Sequence, residues 1–215
     1  MHSGTEPAIV SVNVGLPREV TWRGRTVLTA IWKTPVGTDP VWLRGVNLVG
    51  DDQADRSVHG GPDKAVYAYA AEDYQFWSQH HSLETVPGLF GENLTVEGVD
   101  LSATRVGERW QVGSSVLEIA QPRLPCFKLG IRLNDQHFLK VFLNAGRPGA
   151  YLRIVEEGQV RAGDVVTVIS RPSHDVTVGL MNRAMTNREL APALLAADQL
   201  PDSWRRWALG ETGDG

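Results

Sequence analysis

Residues 106–123, VGERWQVGSSVLEIAQPR, alternate in polarity on both sides of a turn. Trp110 and Val112 precede Gly113–Ser115, and Leu117 and Ile119 follow it. A helix would scatter these side chains around its circumference. A strand puts them on one face, so the stretch predicts a β-hairpin. Comparable runs occupy Ala8–Asn13, Glu19–Trp22, Arg25–Ala30, a piece near Trp32, Val66–Tyr69 and residues 160–170, with turn signals at Arg23-Gly24 and Pro35–Pro40. Strands this short, about ten residues apart, predict a mainly β domain of barrel or sandwich type. With 22 glycines and 12 prolines, the chain suits short strands and turns better than long helices. At 215 residues it fits one domain plus a small appendage.

One helix stands out in the first half, AEDYQFWSQH at 71–80, where Ala70, Tyr74 and Trp77 share a face suited to packing. After Pro172 the β pattern stops, and 172–215 reads as three short helical patches. Asp175 is placed to cap the first, through 176–184. Thr186–Glu189 has the form of a capping box for the second, with Pro192 awkwardly deep inside it. PDSWRRWAL at 201–209 opens the third. Three helices this short cannot hold a large core alone. They should dock on the β-domain (1–171) or build a homodimer contact, with Trp204, Trp207 and Leu209 supplying the apolar surface. The tail GETGDG is expected to be disordered.

The net charge of −4 argues against a protein that coats nucleic acid. No apolar run approaches the ~20 residues needed to span a bilayer. The N-terminus has no signal-peptide pattern, and the single cysteine fits a reducing compartment, so a cytoplasmic location is expected.

That cysteine, Cys126 in QPRLPCFKLGI, can neither close an internal disulfide nor build a cysteine-based zinc or iron–sulfur site. It is either a small buried apolar residue or a chemical group. Arg123 and Lys128 favour a thiolate if their charge reaches the sulfur, and Pro122 and Pro125 stiffen the loop. A second constellation is GDDQADRSVHGGPDK at 50–64. It reads as a solvated loop, or as an anion site in which Gly60-Gly61 opens the backbone and Arg56, His59 and Lys64 surround the ligand. Asp51, Asp55 and His59 make a weaker case for a metal. The spacing is not that of a Walker A loop, and there is no G-x-S-x-G elbow.

Together, GDDQADRSVHGGPDKAVYAY (50–69), GLFGENLTVEG (88–98), VGERWQVGSSVLEIAQPRLPCFKLGIR (106–132) and GRPGAYLRIVEEGQVRAGD (146–164) resemble the MOSC domain, in particular its YiiM-type branch. IWKTPVG (31–37) fits the same pattern, and the tail from about 172 resembles the three-α-helical domain of that branch. The resemblance implies a barrel-like β fold that holds molybdenum cofactor. It implies Cys126 as the protein ligand to molybdenum, Lys33, Thr34, Asn93 and Arg123 around the cofactor, and His59 and Lys64 as parts of the branch's signature. Ala150 stands where relatives often carry Trp, a change expected at the substrate mouth.

The activity it implies is reduction of N-hydroxylated compounds, including hydroxylated purine bases. The chain shows no flavin fingerprint and no cysteines for a cluster, so electrons are expected from a separate reductase, a flavoprotein. A soft thiolate suits a soft metal, and an anionic pterin phosphate calls for cations and amides. The competing reading is a non-catalytic carrier of molybdenum cofactor or of persulfide sulfur on Cys126. A pyridoxal phosphate-linked role is weaker, since no lysine is marked as a Schiff-base candidate.

Overall fold

A computed structural model describes residues 6–54 and 60–211 of the chain. Its main sheet contains β1 (Ala8–Val14), β4 (Thr34–Pro35), β7 (Val66–Ala70), β8 (Leu94–Glu97), β9 (Arg109–Val112), β10 (Ser115–Pro122), β11 (Ala150–Glu156) and β13 (Val166–Ser170). The strand order is β13-β9-β10-β11-β7-β8-β1-β4, antiparallel except for the β7–β8 pair. A small sheet joins β5 (Val41–Arg44) to β6 (Asn47–Leu48) and β12 (Gly158–Val160), and β2 (Arg18–Trp22) pairs with β3 (Arg25–Thr29) as a separate hairpin.

The main sheet curls until its ends meet. Ile9 donates its amide to the Asp164 carbonyl at 2.9 Å, and Val166 donates to Pro7 at 2.8 Å. This seam is an isolated bridge at Ala8–Val165, so the domain is barrel-like, not a fully closed barrel. The expected hairpin is present, with its turn at Gly113-Ser114. The expected strand near Trp32 is absent, and β4 forms just after it.

β7 is buried along its whole length because it has two dry faces. Val66, Ala68 and Ala70 point into the barrel core with Val12, Leu94 and Leu117. Tyr67 and Tyr69 point the other way, into an aromatic layer with Tyr74, Trp77, Phe90, Phe138 and Phe142. The period of two along a strand separates the two sets. Tyr74 and Trp77 come from α1 (Ala71–His81), as its pattern predicts. Phe138 and Phe142 come from α3 (Phe138–Asn144), which with α2 (Phe127–Leu133) was not legible as helix in the sequence. Each has only seven residues, too few for a clear 3.6-residue period.

After β13 the chain is helical. It forms α4 (Val178–Ala184), a 3-10 stretch at Arg188–Ala196, and α5 (Asp202–Leu209). The caps differ from expectation. Thr177, not Asp175, caps α4 by accepting from Leu180 N, while Asp175 pairs with Arg105. Asn187 caps the middle stretch, and Pro192 inside it fits a 3-10 path. The lobe has its own small core of Val176, Met181, Leu194, Leu200 and Trp204, built on Val106 of the β-domain. Trp207 is half-buried against Trp204, but Leu209 is 55% exposed and contributes little. Residues 212–215 of the expected disordered tail lie outside the described residues.

Candidate functional site

β10 is the strand that ends at the candidate site. It delivers Arg123 immediately after its last residue, and Cys126 follows as the N-cap of α2. Pro122 and Pro125 stop the sheet ladder here, so the chain leaves the barrel and turns into α2. β7 and β11, neighbours in the sheet, bring Tyr67 and Tyr151 alongside, with ring centroids 5.1 Å apart. The turn at 88–93 and the segments at 29–33, 51–54 and 64–65 complete one cleft. Lys33, Lys64, Asn93, Arg123 and Cys126 all line it, although they are far apart in sequence.

Asp51 organises the floor. Its carboxylate accepts from Gly15 N at 2.9 Å, from Asn93 Nδ2 at 2.8 Å and from Lys33 Nζ in a short ion pair. The side chains of Lys33 and Asp51 are 9% and 3% exposed. Burial lowers the Lys33 pKa, and Asp51 opposes the shift without cancelling it. Asn93 is equally committed: its Oδ1 accepts from Tyr67 N at 3.1 Å. Lys33 and Asn93 therefore build the floor, with their hydrogen bonds already directed at protein. Gly88 makes the fit tight. Its φ is +86°, and a Cβ there would lie 2.5 Å from the Lys33 carbonyl oxygen, so only glycine lets the turn press on this segment.

Arg123 is different. It is 6% exposed, and its Nη1 has no hydrogen-bond partner among the described residues. Burial works against its charge, but the oxygens of Tyr67 and Tyr151 and the Cys126 sulfur hold the guanidinium protonated even beyond its usual range. Burial pushes both tyrosines up; the Tyr151 oxygen accepts from Arg123, and Tyr67 Oη donates to the Pro148 carbonyl at 2.8 Å. The guanidinium carbon lies 5.5 Å from the Tyr67 ring centroid. Lys64 and Lys128 add cations to the same cleft, and Cys126 is half-buried at its wall. A buried guanidinium with a spare N–H, two lysines and a thiol in one cleft suit an anion that also carries a soft centre.

Thr34 does not join them. It is exposed on β4, pairs with Val14 and is not part of the cleft lining, because the short ladder to β1 turns it outward. Ala150, expected at the substrate mouth, is instead fully buried in the barrel core. His59, with Asp55 and Arg56, lies outside the described residues. Two contributors, Tyr67 and Tyr151, were not read as site residues, and Asp51 was read only within a weak metal case with Asp55 and His59. Nothing local marks Asp51 as the partner of Lys33. Tyr67 reads as a strand aromatic and Tyr151 only as part of the GRPGAYLR motif; their place beside Arg123 appears only when β7 and β11 pair.

The MOSC domain family model matches residues 55–167. The chain belongs to the MOSC family. This MOSC protein is 34% identical over 202 residues to the uncharacterized protein YflK of Bacillus subtilis, spanning 92% of this chain and 91% of that one. It is 32% identical to protein YiiM of Escherichia coli over 76% of each chain. A Gibberella moniliformis protein named reductase is 31% identical over 83% of this chain, which corresponds to 32% of that longer protein. The crystal structure of YiiM from Geobacillus stearothermophilus superposes with a TM-score of 0.77 at 26% identity, covering 95% of this chain and 98% of that one. No helix among the described residues is long and apolar enough to cross a membrane.

Proposed function

We propose that this MOSC protein reduces N-hydroxylated compounds, such as hydroxylaminopurine-type bases, using molybdenum cofactor and electrons from a separate reductase, a flavoprotein. The observation that carries the reading is the unpartnered Nη1 of buried Arg123 beside the Cys126 thiol. Leaving a buried N–H unpaired costs about 1–3 kcal/mol, a cost that a ligand oxygen would remove. The residues fit an anionic, sulfur-binding group. Arg123, Lys64 and Lys128 would take its phosphate and pterin oxygens, and Cys126 would supply a thiolate to the metal. When bound, the cofactor supplies a two-electron redox centre. The net reaction breaks the N–O bond, consumes two electrons and two protons, and releases the amine and water. The chain's part is to bind and orient. The Lys33–Asp51–Asn93 floor fixes the wall, and Tyr67 and Tyr151 hold Arg123. The name of the Gibberella relative is consistent with redox chemistry.

The test is molybdenum and pterin content of gently purified protein, with turnover of a hydroxylaminopurine by reduced methyl viologen. Cys126→Ser should abolish turnover and leave the melting temperature almost unchanged. A persulfide on Cys126 without turnover would favour the carrier role instead. Residual turnover with a large loss of stability would return Cys126 to simple packing.

A further inference from the structure

Lys64 reaches the cleft from a single 3-10 turn, Pro62–Lys64, that follows Gly60-Gly61. Its own bonds are few: Lys64 N to Gly61 O at 3.1 Å and Ala65 N to Pro62 O at 3.3 Å. Three residues of 3-10 helix after two glycines have little stability of their own. The turn is held from outside. Gln53 spans one side, accepting from Gly61 N at 3.1 Å and donating to Lys64 O at 3.2 Å.

The other side is held at Asp63 by two neighbouring strands. Arg153 Nε on β11 donates to the Asp63 carboxylate at 2.6 Å, and Gln121 Nε2 on β10 donates to the Asp63 carbonyl at 3.1 Å. Each of these side chains is itself gripped by the C-terminal lobe. Trp204 Nε1 donates to Gln121 Oε1 at 2.8 Å, and Arg153 Nη2 donates to the Gln199 carbonyl at 3.0 Å. Glu118 fixes the third corner of Arg153 at 2.8 Å. Gln121 and Trp204 are each 5% exposed, so water competes little for their bond.

We infer that the C-terminal lobe is a clamp on the cleft: through Trp204–Gln121 and Gln199–Arg153 it positions the Asp63–Lys64 turn. Trp204, Gln121 and Arg153 are positioning residues, since Lys64 and not they lines the cleft. Only the link from Lys64 to a bound cofactor rests on the reductase reading. Two independent routes converge on one residue of one short turn. Simple docking of the lobe needs apolar contact, which it has, but does not need both routes to end on Asp63. A turn fixed in advance loses less entropy when it meets a ligand, so the clamp should appear as ligand retention.

The experiment is amide hydrogen exchange on the full chain without cofactor, read at Lys64 and Ala65. Trp204→Phe keeps an aromatic ring, smaller than the indole, and removes the donor. Arg153→Lys keeps a cation and cannot span Asp63, Glu118 and Gln199 together. Each should accelerate exchange at 64 and 65 by between about twofold and tenfold, the loss of roughly one hydrogen bond. Trp207→Phe, which alters the ring packed against Trp204, is the control and should leave 64 and 65 at the wild-type rate. In protein purified with cofactor, Trp204→Phe and Arg153→Lys should lower the molybdenum retained per chain after gel filtration, and Trp207→Phe should not. Acceleration confined to residues 173–211, or equal effects of all three variants on 64 and 65, would overturn the clamp. Faster exchange at 64 and 65 with unchanged molybdenum retention would overturn the link from Lys64 to the cofactor and leave the clamp standing. Wild-type protein that holds no molybdenum would refute the cofactor reading, and the exchange comparison would still decide the clamp.

Discussion

Lys33 and Asp51 form an ion pair that the barrel can hold only because each satisfies the other. Removing one partner of a buried pair leaves an uncompensated charge. Asp51→Asn should therefore cost about 3 kcal/mol in urea unfolding, while Lys33→Met combined with Asp51→Asn should recover much of it. Additive losses in the double variant would mean the pair is not coupled. Glu92 is the second buried titratable group near the floor. It is fully buried and accepts from Tyr74 Oη, Gly88 N, Phe90 N and Thr95 Oγ1. Burial raises its pKa, and these donors only partly oppose the shift. The folded state thus binds the proton more tightly than the unfolded chain. The stability this contributes is fully present below the ordinary glutamate value and is lost as pH rises through the folded pKa. Glu92→Gln cannot show that loss. Between about pH 4 and pH 8 the stability difference, variant minus wild type, should shift in favour of the variant. A difference that stays flat with pH would show that Glu92 does not titrate in that range.

At the scale of elements, α1 and α3 meet through aromatic rings laid over β7. Trp77 is fully buried, stacks 5.7 Å from Phe142 at an interplanar angle of 6°, and donates Nε1 to Tyr69 Oη at 2.5 Å. Trp77→Ala opens a cavity and removes the indole N–H from the Tyr69 hydroxyl, which keeps only its bond to the Arg147 carbonyl, so it should cost about 3–5 kcal/mol, seen as a large fall in the thermal midpoint. A loss below about 1 kcal/mol would mean the layer can collapse around the gap. This layer also explains what was legible and what was not. Tyr74 and Trp77 at helical spacing announce α1. Phe138 and Phe142, four apart, are also at helical spacing, but α3 is two turns long and sits between short loops, so its pattern never exceeds the noise of a β-rich sequence. α2 carries Gly130 in mid-helix and is likewise set by its neighbours more than by propensity.

For the whole molecule, the C-terminal lobe covers Val106 and the β10 side chain of Gln121. Deleting 173–215 would uncover both. The remaining β-domain should fold but associate, which gel filtration over a range of concentrations would show. A truncated protein that stays monomeric with wild-type stability would mean the lobe adds nothing to the barrel. The same contacts explain why Leu209 was misjudged. It lies five residues after Trp204, about 140° around the helix from the ring that packs into the lobe, so Leu209 is left in solvent.

By itself the sequence determined the hairpin at 109–122, the strands at 8–14, 18–22, 25–29 and 66–70 and the helical character of the last segment, because alternation and Gly–Pro punctuation act over a few positions. It also brought Cys126, Arg123 and Lys64 forward, because their type and local charge are unusual. Only the tertiary structure decided which of these groups is spare. Lys33 looked like a cation for a ligand until β1 and the 51–54 segment put Asp51 on its ammonium. Arg123 looked like one flank of a loop until β7 and β11 enclosed it and left Nη1 without a partner. Whether a polar atom is satisfied depends on strands tens of residues away, and no local pattern carries that information.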